Sequence, residues 1–235
     1  MTTARPLQLP PAIEALRKTL DVRPPRVVST GVAAIDELLA GGGFPRGHVT
    51  ELSSPSGFGL STTLALLACK SASDEARSRG GVGAFSAFVD PTSTLHGPGA
   101  LALGVDLSRL VVVRPSAAQL AKAAVKVVSS GVFSVAVIDV GGVPGATVGA
   151  ELTGWVNVVR RIALAAEQMD TAVLLLTRAE ARRPLPLPVA LRLDLSSPAQ
   201  GELVVRVAKE RHGLVTGARR LVLGDLHAHS GARTA

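Results

Sequence analysis

Cysteine occurs once in 235 residues, tyrosine is absent, and aromatic residues make up only 3%. A lone cysteine, Cys69, excludes a disulfide within the chain and a zinc site built on paired cysteines. It falls beside Leu66 and Leu67 in a predicted helix and reads as a small buried hydrophobe. With so few aromatics, the core has to be built from Val, Leu, Ala and Ile. The 47% of hydrophobic residues leaves ample material for it. No apolar run reaches the roughly 18 uncharged residues of a membrane span. Residues 1–10 hold one Arg, two Pro and no apolar stretch, so no secretory leader is expected and a reducing cytoplasm fits.

What is present is positive charge and alternation of short elements. The net charge is +7, a balance that attracts polyanions and is compatible with nucleic acid. The length suits one α/β domain. Pro10 and Pro11 suit a helix start, and Ile13, Leu16 and Leu20 form one apolar face of a helix over 11–20. Pro24 and Pro25 end any helix there, so Arg26–Ser29, with Val27 and Val28, reads as an extended arm. The helix either meets a partner or packs on its own domain.

Further along, Val32–Leu39 reads as a helix, His48–Ser53 as a strand, and Ser61–Ser78 as a helix. Strands are predicted at Ala84–Asp90, Leu110–Val113, Ser134–Asp139 and Thr171–Thr177. Between them lie a helix capped by Ser116 and running to Ser129, and a helix over Glu151–Gln168. Leu152, Trp155, Val159, Ile162 and Ala166 share one face of the latter. Apolar strands alternating with helices predict a parallel sheet covered on both faces. Leu191–Leu195, Glu202–Ala208 and Arg220–Leu223 follow one another without helices, which predicts antiparallel strands extending that sheet.

The strand–turn–helix at 48–78 has the context of a phosphate loop, whose working pattern is G-x-x-x-x-G-K-[ST]. Here it reads Ser54-Pro55-Ser56-Gly57-Phe58-Gly59-Leu60-Ser61, followed by Thr62. Gly59 and the hydroxyl of Ser61 keep the pattern. Ser54 replaces the first glycine and Leu60 replaces the lysine. A leucine brings neither charge nor donor to a triphosphate. A charge-assisted hydrogen bond contributes about 1.5–3 kcal/mol, so losing one weakens triphosphate binding about tenfold or more. Backbone N–H groups at a helix N-terminus still favour an anion.

These segments, taken together, resemble the bacterial RecA family, from about Ala12 to Leu223. Ser29-Thr30-Gly31 with Ile35-Asp36 is similar to the family's entry into its core. Gly41-Gly42-Gly43-Phe44-Pro45-Arg46-Gly47 through Glu51 is similar to the lead into its phosphate loop. Ala87-Phe88-Val89-Asp90, Leu103-Gly104-Val105-Asp106-Leu107 and Val137-Ile138-Asp139 match three more family segments, the last being Walker B. The resemblance implies an α/β, RecA-like P-loop NTPase core. Its mainly parallel central sheet would be flanked by helices and extended by C-terminal antiparallel strands. It divides the chain into an N-terminal docking helix and arm (1–28), a core (29–223) and a tail (224–235).

Departures from the family set the functional expectation. The family's water-activating glutamate falls at Thr92, which cannot serve as a carboxylate base. Its asparagine–glutamine sensor pair falls at Thr177-Arg178. With Leu60, these losses imply a chain that does not hydrolyse ATP and holds no tightly bound ATP or magnesium. Asp139 reads either as a magnesium ligand or as a polar residue ending a buried strand. The loops that line the family's DNA channel shorten to Gly141–Val148 and Ala179–Pro188, keeping Arg182 and Arg183 but no aromatic. Lys209 and Arg211 match paired lysines that, in the family, reach the neighbouring subunit's nucleotide. With His212, Arg219 and Arg220 they form either that contact, a DNA contact or a solvated hairpin edge.

A shortened RecA relative of this kind resembles the ImuA group, accessories of damage-induced translesion synthesis. The resemblance implies RecA and an ImuB-like Y-family polymerase-like protein as partners. The alternatives are a recombination mediator that binds single-stranded DNA through Arg161, Arg182 and Arg183, or a weak RecA-type ATPase.

Overall fold

The structure, a computed structural model, describes residues 26–55, 60–141, 155–179, 187–199, 201–211 and 218–222. The chain enters through β1 (Val27–Val28), then α1 (Ala33–Asp36) and β2 (Phe44–Pro45). β1 and β2 form a small antiparallel pair, Val27 opposite Pro45 and Val28 opposite Phe44. A Cβ on Gly43 would stand 2.4 Å from the Val28 carbonyl oxygen, so only glycine lets the two segments cross. Val28 is fully buried. This corrects the reading of Val28 as a docking group: its side chain is spent on the core, and the arm at 27–28 is sheet-paired within its own domain.

The main body follows as β3 (Val49–Ser54), α2 (Leu60–Ser78), β4 (Ser86–Val89), α3 (Gly97–Ala102) and β5 (Leu110–Val113). Next come α4 (Leu120–Ser129), β6 (Val135–Asp139), α5 (Trp155–Met169) and β7 (Ala172–Arg178). Three further strands follow among the described residues: β8 (Leu191–Ser196), β9 (Glu202–Glu210) and β10 (Arg219–Val222). One eight-stranded sheet has the order β10-β9-β8-β3-β7-β6-β4-β5. Every pair from β8 to β5 is parallel, and β9 and β10 add antiparallel. Predicted strand ends move by a residue or two, as hydrogen-bonded ladders define them differently from hydrophobic runs.

Both faces are covered, as the unbroken apolar strands require. On one face α2 lays Leu60, Leu64, Leu67 and Ala68 on Leu52, Leu174, Leu176, Leu193 and Val205. On the other, α4 and α5 press Leu120, Val128, Trp155, Val159 and Ile162 onto Val49, Ala136, Ile138, Val173 and Leu175. Among the described residues no helix is long and apolar enough to cross a membrane.

Two helices differ from expectation. The helix predicted over Val32–Leu39 shrinks to one turn. The Asp36 carboxylate turns back to the Thr30 N–H (2.8 Å) and Ser29 Oγ (2.6 Å), while Leu38 and Leu39 donate to Ile35 and Asp36 in the tighter i to i+3 pattern. Ser116 makes no side-chain capping bond, and a 3-10 turn, Ala117–Gln119, precedes α4 instead. α3 itself was not foreseen. Its Gly-Pro-Gly start reads as a breaker, but Pro98 occupies the first turn and His96 Nδ1 accepts from the Gly99 N–H at 3.1 Å.

Ile162 is 1% exposed and Leu164, two residues on, is 62% exposed. Ile162→Ala is expected to destabilise the protein by about 2–5 kcal/mol, and Leu164→Ala by less than about 0.5 kcal/mol. Urea unfolding of both variants measures the contrast, and equal effects would refute the placement of α5.

Candidate functional site

The C-terminal ends of the parallel strands are where an α/β sheet of this kind carries its site. β3 delivers Ser54 to that end and α2 departs from it at Leu60. Gly57 and Gly59, between them in sequence, lie outside the described residues. Ser54 Oγ and Ser61 Oγ are 3.0 Å apart and both residues are buried. Each hydroxyl is thus the other's hydrogen-bond partner. Leu60 is 6% exposed and belongs to the apolar cluster beneath α2. Thr62, on the same turn, is half-buried.

Asp139 ends β6 with 8% exposure and accepts from the Gly141 N–H at 3.0 Å. A Cβ on Gly141 would meet Arg178 Cγ at 3.4 Å and Asp139 Oδ1 at 3.6 Å, so the Arg178 stem passes alongside. Ser54 and Arg178 are register partners on adjacent strands. Asp90, fully buried, accepts from the N–H groups of Thr94 and Leu95, both at 3.0 Å. Its role is to cap the turn in which Thr92 lies. Thr92 Oγ1 meets Thr94 Oγ1 at 3.1 Å. Among the described residues no group of three or more His, Cys, Asp or Glu could hold a metal ion.

A polar chain that sequence reasoning missed runs across the sheet. Thr177 Oγ1 donates to Glu51 Oε1 at 2.8 Å, and Arg192 Nη1 stands 3.5 Å from Glu51 Oε2. Arg192 Nε donates to Asp194 Oδ1 at 2.9 Å, and Arg206 pairs with Asp194 Oδ2. Glu51 is 3% exposed. Burial pushes its carboxyl above the usual range, outweighing the Thr177 hydrogen bond and the Arg192 charge, which pull the other way. The signal in the sequence was the Leu-Arg-Leu-Asp-Leu alternation at 191–195, which puts two charges on the face opposite the leucines. Their partners lie far away in sequence.

Among the described residues, the remaining expected contacts do not gather into one surface. Lys209 Nζ donates to the Leu187 carbonyl at 3.2 Å, and Arg211 Nη1 meets His48 Nε2 at 2.8 Å. Both stand where β3 begins. Four residues of strand, about 13 Å, separate Thr50 from Ser54, so neither reaches the chain's own phosphate loop. Arg219 pairs with Glu37 at 3.1 Å. Arg161 is exposed on α5. Val27 is half-buried beside the buried Val28. Ile13, Leu16, Leu20, Arg182, Arg183 and His212 lie outside the described residues.

This sheet and loop belong to a known class. The RecA N-terminal domain family matches residues 13–183, and the chain belongs to that family. It is 39% identical to Protein RecA of Chlorobaculum parvum over 115 residues, covering 48% of this chain and 31% of that protein. It is 40% identical to Protein RecA of Corynebacterium jeikeium over 121 residues, covering 51% and 30%. The matching Protein RecA of Thermotoga neapolitana is 38% identical over 129 residues, covering 54% and 34%. The chain thus spans about a third of the length of the curated relatives it matches. Its fold is similar to the crystal structure of the RadB recombinase, with a TM-score of 0.66, 18% identity, and coverage of 86% of this chain and 98% of that one.

The raised Glu51 carboxyl has a signed consequence. Its protonated form is favoured by folding, so its contribution to stability is present below the ordinary carboxylate value and is lost as pH rises through the raised one. Glu51→Gln lacks this titration. Relative to the unchanged protein, the variant should gain stability as pH rises from about 4 to about 8. Urea midpoints across that range check it, and a difference that stays flat contradicts the assignment.

Proposed function

We propose that this chain is a RecA-family accessory of the DNA-damage response that binds other macromolecules and does not turn over ATP. Leu60 carries the reading. A lysine at this position would direct its charge into the phosphate loop, whereas Leu60 is a buried member of the core. The other departures support it. Ser61 is engaged by Ser54, Thr177 by Glu51, and Thr92 offers no carboxylate. ATP with magnesium would retain only backbone donors, the helix N-terminus and Asp139, and tight binding is not expected. The closer setting is translesion synthesis of the kind the ImuA group serves, with RecA and an ImuB-like polymerase-like protein as partners. The apolar face of Ile13, Leu16 and Leu20 is the docking element, in the manner of a helix laid into a groove.

Purified protein is expected to release no phosphate from radiolabelled ATP above background. Leu60→Lys is expected to leave that rate unchanged and to lower stability by about 2 kcal/mol, the worth of one buried leucine. Turnover that disappears on Asp139→Ala would overturn the reading.

Ile13→Ser, Leu16→Ser and Leu20→Ser together are expected to abolish capture by immobilised RecA and by the polymerase-like partner. The substitutions leave Val28 in place, whereas deleting residues 1–28 would also open the core. Capture that survives all three removes the helix from the account.

A further inference from the structure

Between α2 and β4, residues that include Cys69, Ser73, Ser86, Asp106 and Arg109 line a cavity of about 10 Å³. Cys69 and Ser73 lie one turn apart on α2, and Ser86 opens β4. Asp106 and Arg109 belong to the segment that leads into β5. The inner wall is closed to solvent: Cys69 is 3% exposed, Ser73 4% and Ser86 2%.

The charged groups around it are engaged elsewhere. Asp106 accepts from the Ser108 N–H at 2.9 Å and from Ser108 Oγ at 2.6 Å, and it pairs with Arg77. Arg109 lays its guanidinium over the Phe85 ring, 4.6 Å from the centroid. The two serines are different. Among the described residues neither Ser73 Oγ nor Ser86 Oγ has a hydrogen-bond partner, so the two do not bond to each other. Nor does Ser73 turn back onto its own helix. A Cβ on Gly83 would stand 2.7 Å from Ser73 Oγ, so that hydroxyl points across to the segment entering β4. Burial pushes the Cys69 thiol up to about 12, and the neighbouring Ser86 offsets part of that rise. A thiol held protonated in this way is a weak partner for either serine.

A buried hydroxyl without a partner is costly, and two beside one cavity call for a partner they can share. Space limits its size, because a cavity of about 10–15 Å³ admits one water and nothing larger. Charge limits its kind. Two neutral hydroxyls and a protonated thiol offer an ion no counter-charge, and the Asp106 carboxylate is committed to Arg77 and Ser108. A water donates to one serine oxygen and accepts from the other, which supplies the polar partners an internal water needs. We propose that this cavity is a binding site for one internal water molecule, which bridges Ser73 of α2 to Ser86 of β4. The bridge ties α2, the helix that leaves the phosphate loop, to a strand three places from β3 in the sheet. It does not rest on the function proposed above, so either can fail alone.

The sign of a serine-to-alanine change tests the bridge in the full-length chain by urea unfolding. With the water in place, Ser73→Ala or Ser86→Ala removes one hydrogen bond and leaves the other hydroxyl poorly held. Each should lower the folding equilibrium constant about fivefold, the net worth of one hydrogen bond. The double variant should lose less than the product of the two, because both changes discard the same water. Hydroxyls with no partner at all would give the opposite sign, since either substitution would then delete a costly buried group and raise the urea midpoint. Hydroxyls that had each found a separate partner would give losses that multiply independently. Either result overturns the proposal. A crystal structure of the unchanged protein that shows ordered solvent should carry one water peak within hydrogen-bond reach of both Oγ atoms, and the peak should be lost in Ser73→Ala. Absence of that peak from the unchanged protein also overturns it.

Discussion

All six residues of β3 are buried, and parallel ladders hold the strand on both sides, to β7 over its whole length and to β8 over four residues. The rest of the molecule is arranged around that constraint. A strand with no exposed face must be covered on both sides, here by α2 on one and α5 on the other. Its one ionisable residue, Glu51, must find partners inside. It finds them on the two neighbours, Thr177 of β7 and Arg192 of β8. The parallel half of the sheet and its antiparallel extension are therefore joined by a charge pair as well as by the ladder. A buried pair of this kind is weak evidence of stability, because desolvation offsets much of its attraction. Its firmer consequence is register. Sliding β8 by one residue would turn Arg192 toward the leucines and leave Glu51 without its cation.

Most of the architecture was legible because the apolar patterns are long and one-sided. Val-Ala-Val-Ile at 135–138 and Val-Leu-Leu-Leu at 173–176 have one reading between helices, that of a strand covered on both faces. Trp155, Val159, Ile162 and Ala166 repeat at helical spacing and all four are buried. Short elements were less legible, since one hydrogen bond can decide them. Asp36 has a better acceptor's role at Thr30 and Ser29 than on a continuing helix, and α1 ends. Val28 misled for a related reason. The two prolines before it indicate extended chain, and extended chain can pair inward as readily as outward. The close approach at Gly43 made the difference, and it depends on a residue 15 positions away.

The candidate site divides in the same manner. Residue types at motif positions are local facts, so Leu60, Thr92 and Thr177 could be read directly. What those residues touch could not. The Thr177–Glu51 bond joins positions 126 apart and the Arg192–Ser53 contact positions 139 apart. Spacing along one chain carries no information about such pairs until the strand order is known. Lys209 and Arg211 were legible as cations, yet only the antiparallel register of β8 and β9 places them where β3 begins.

The two ends of the sheet differ in how closely their polar groups are partnered. At the end carrying the phosphate loop, the polar groups have partners of their own: Ser61 with Ser54, Asp139 with Gly141, Asp90 with Thr94 and Leu95. A group already hydrogen-bonded gains little from a ligand, since binding exchanges one bond for another. At the other end, among the described residues, Arg46 makes one long ion pair, 3.6 Å to Glu75, and its side chain keeps 14% exposure. A fold can therefore keep the course of such a loop while the groups beside it turn to one another.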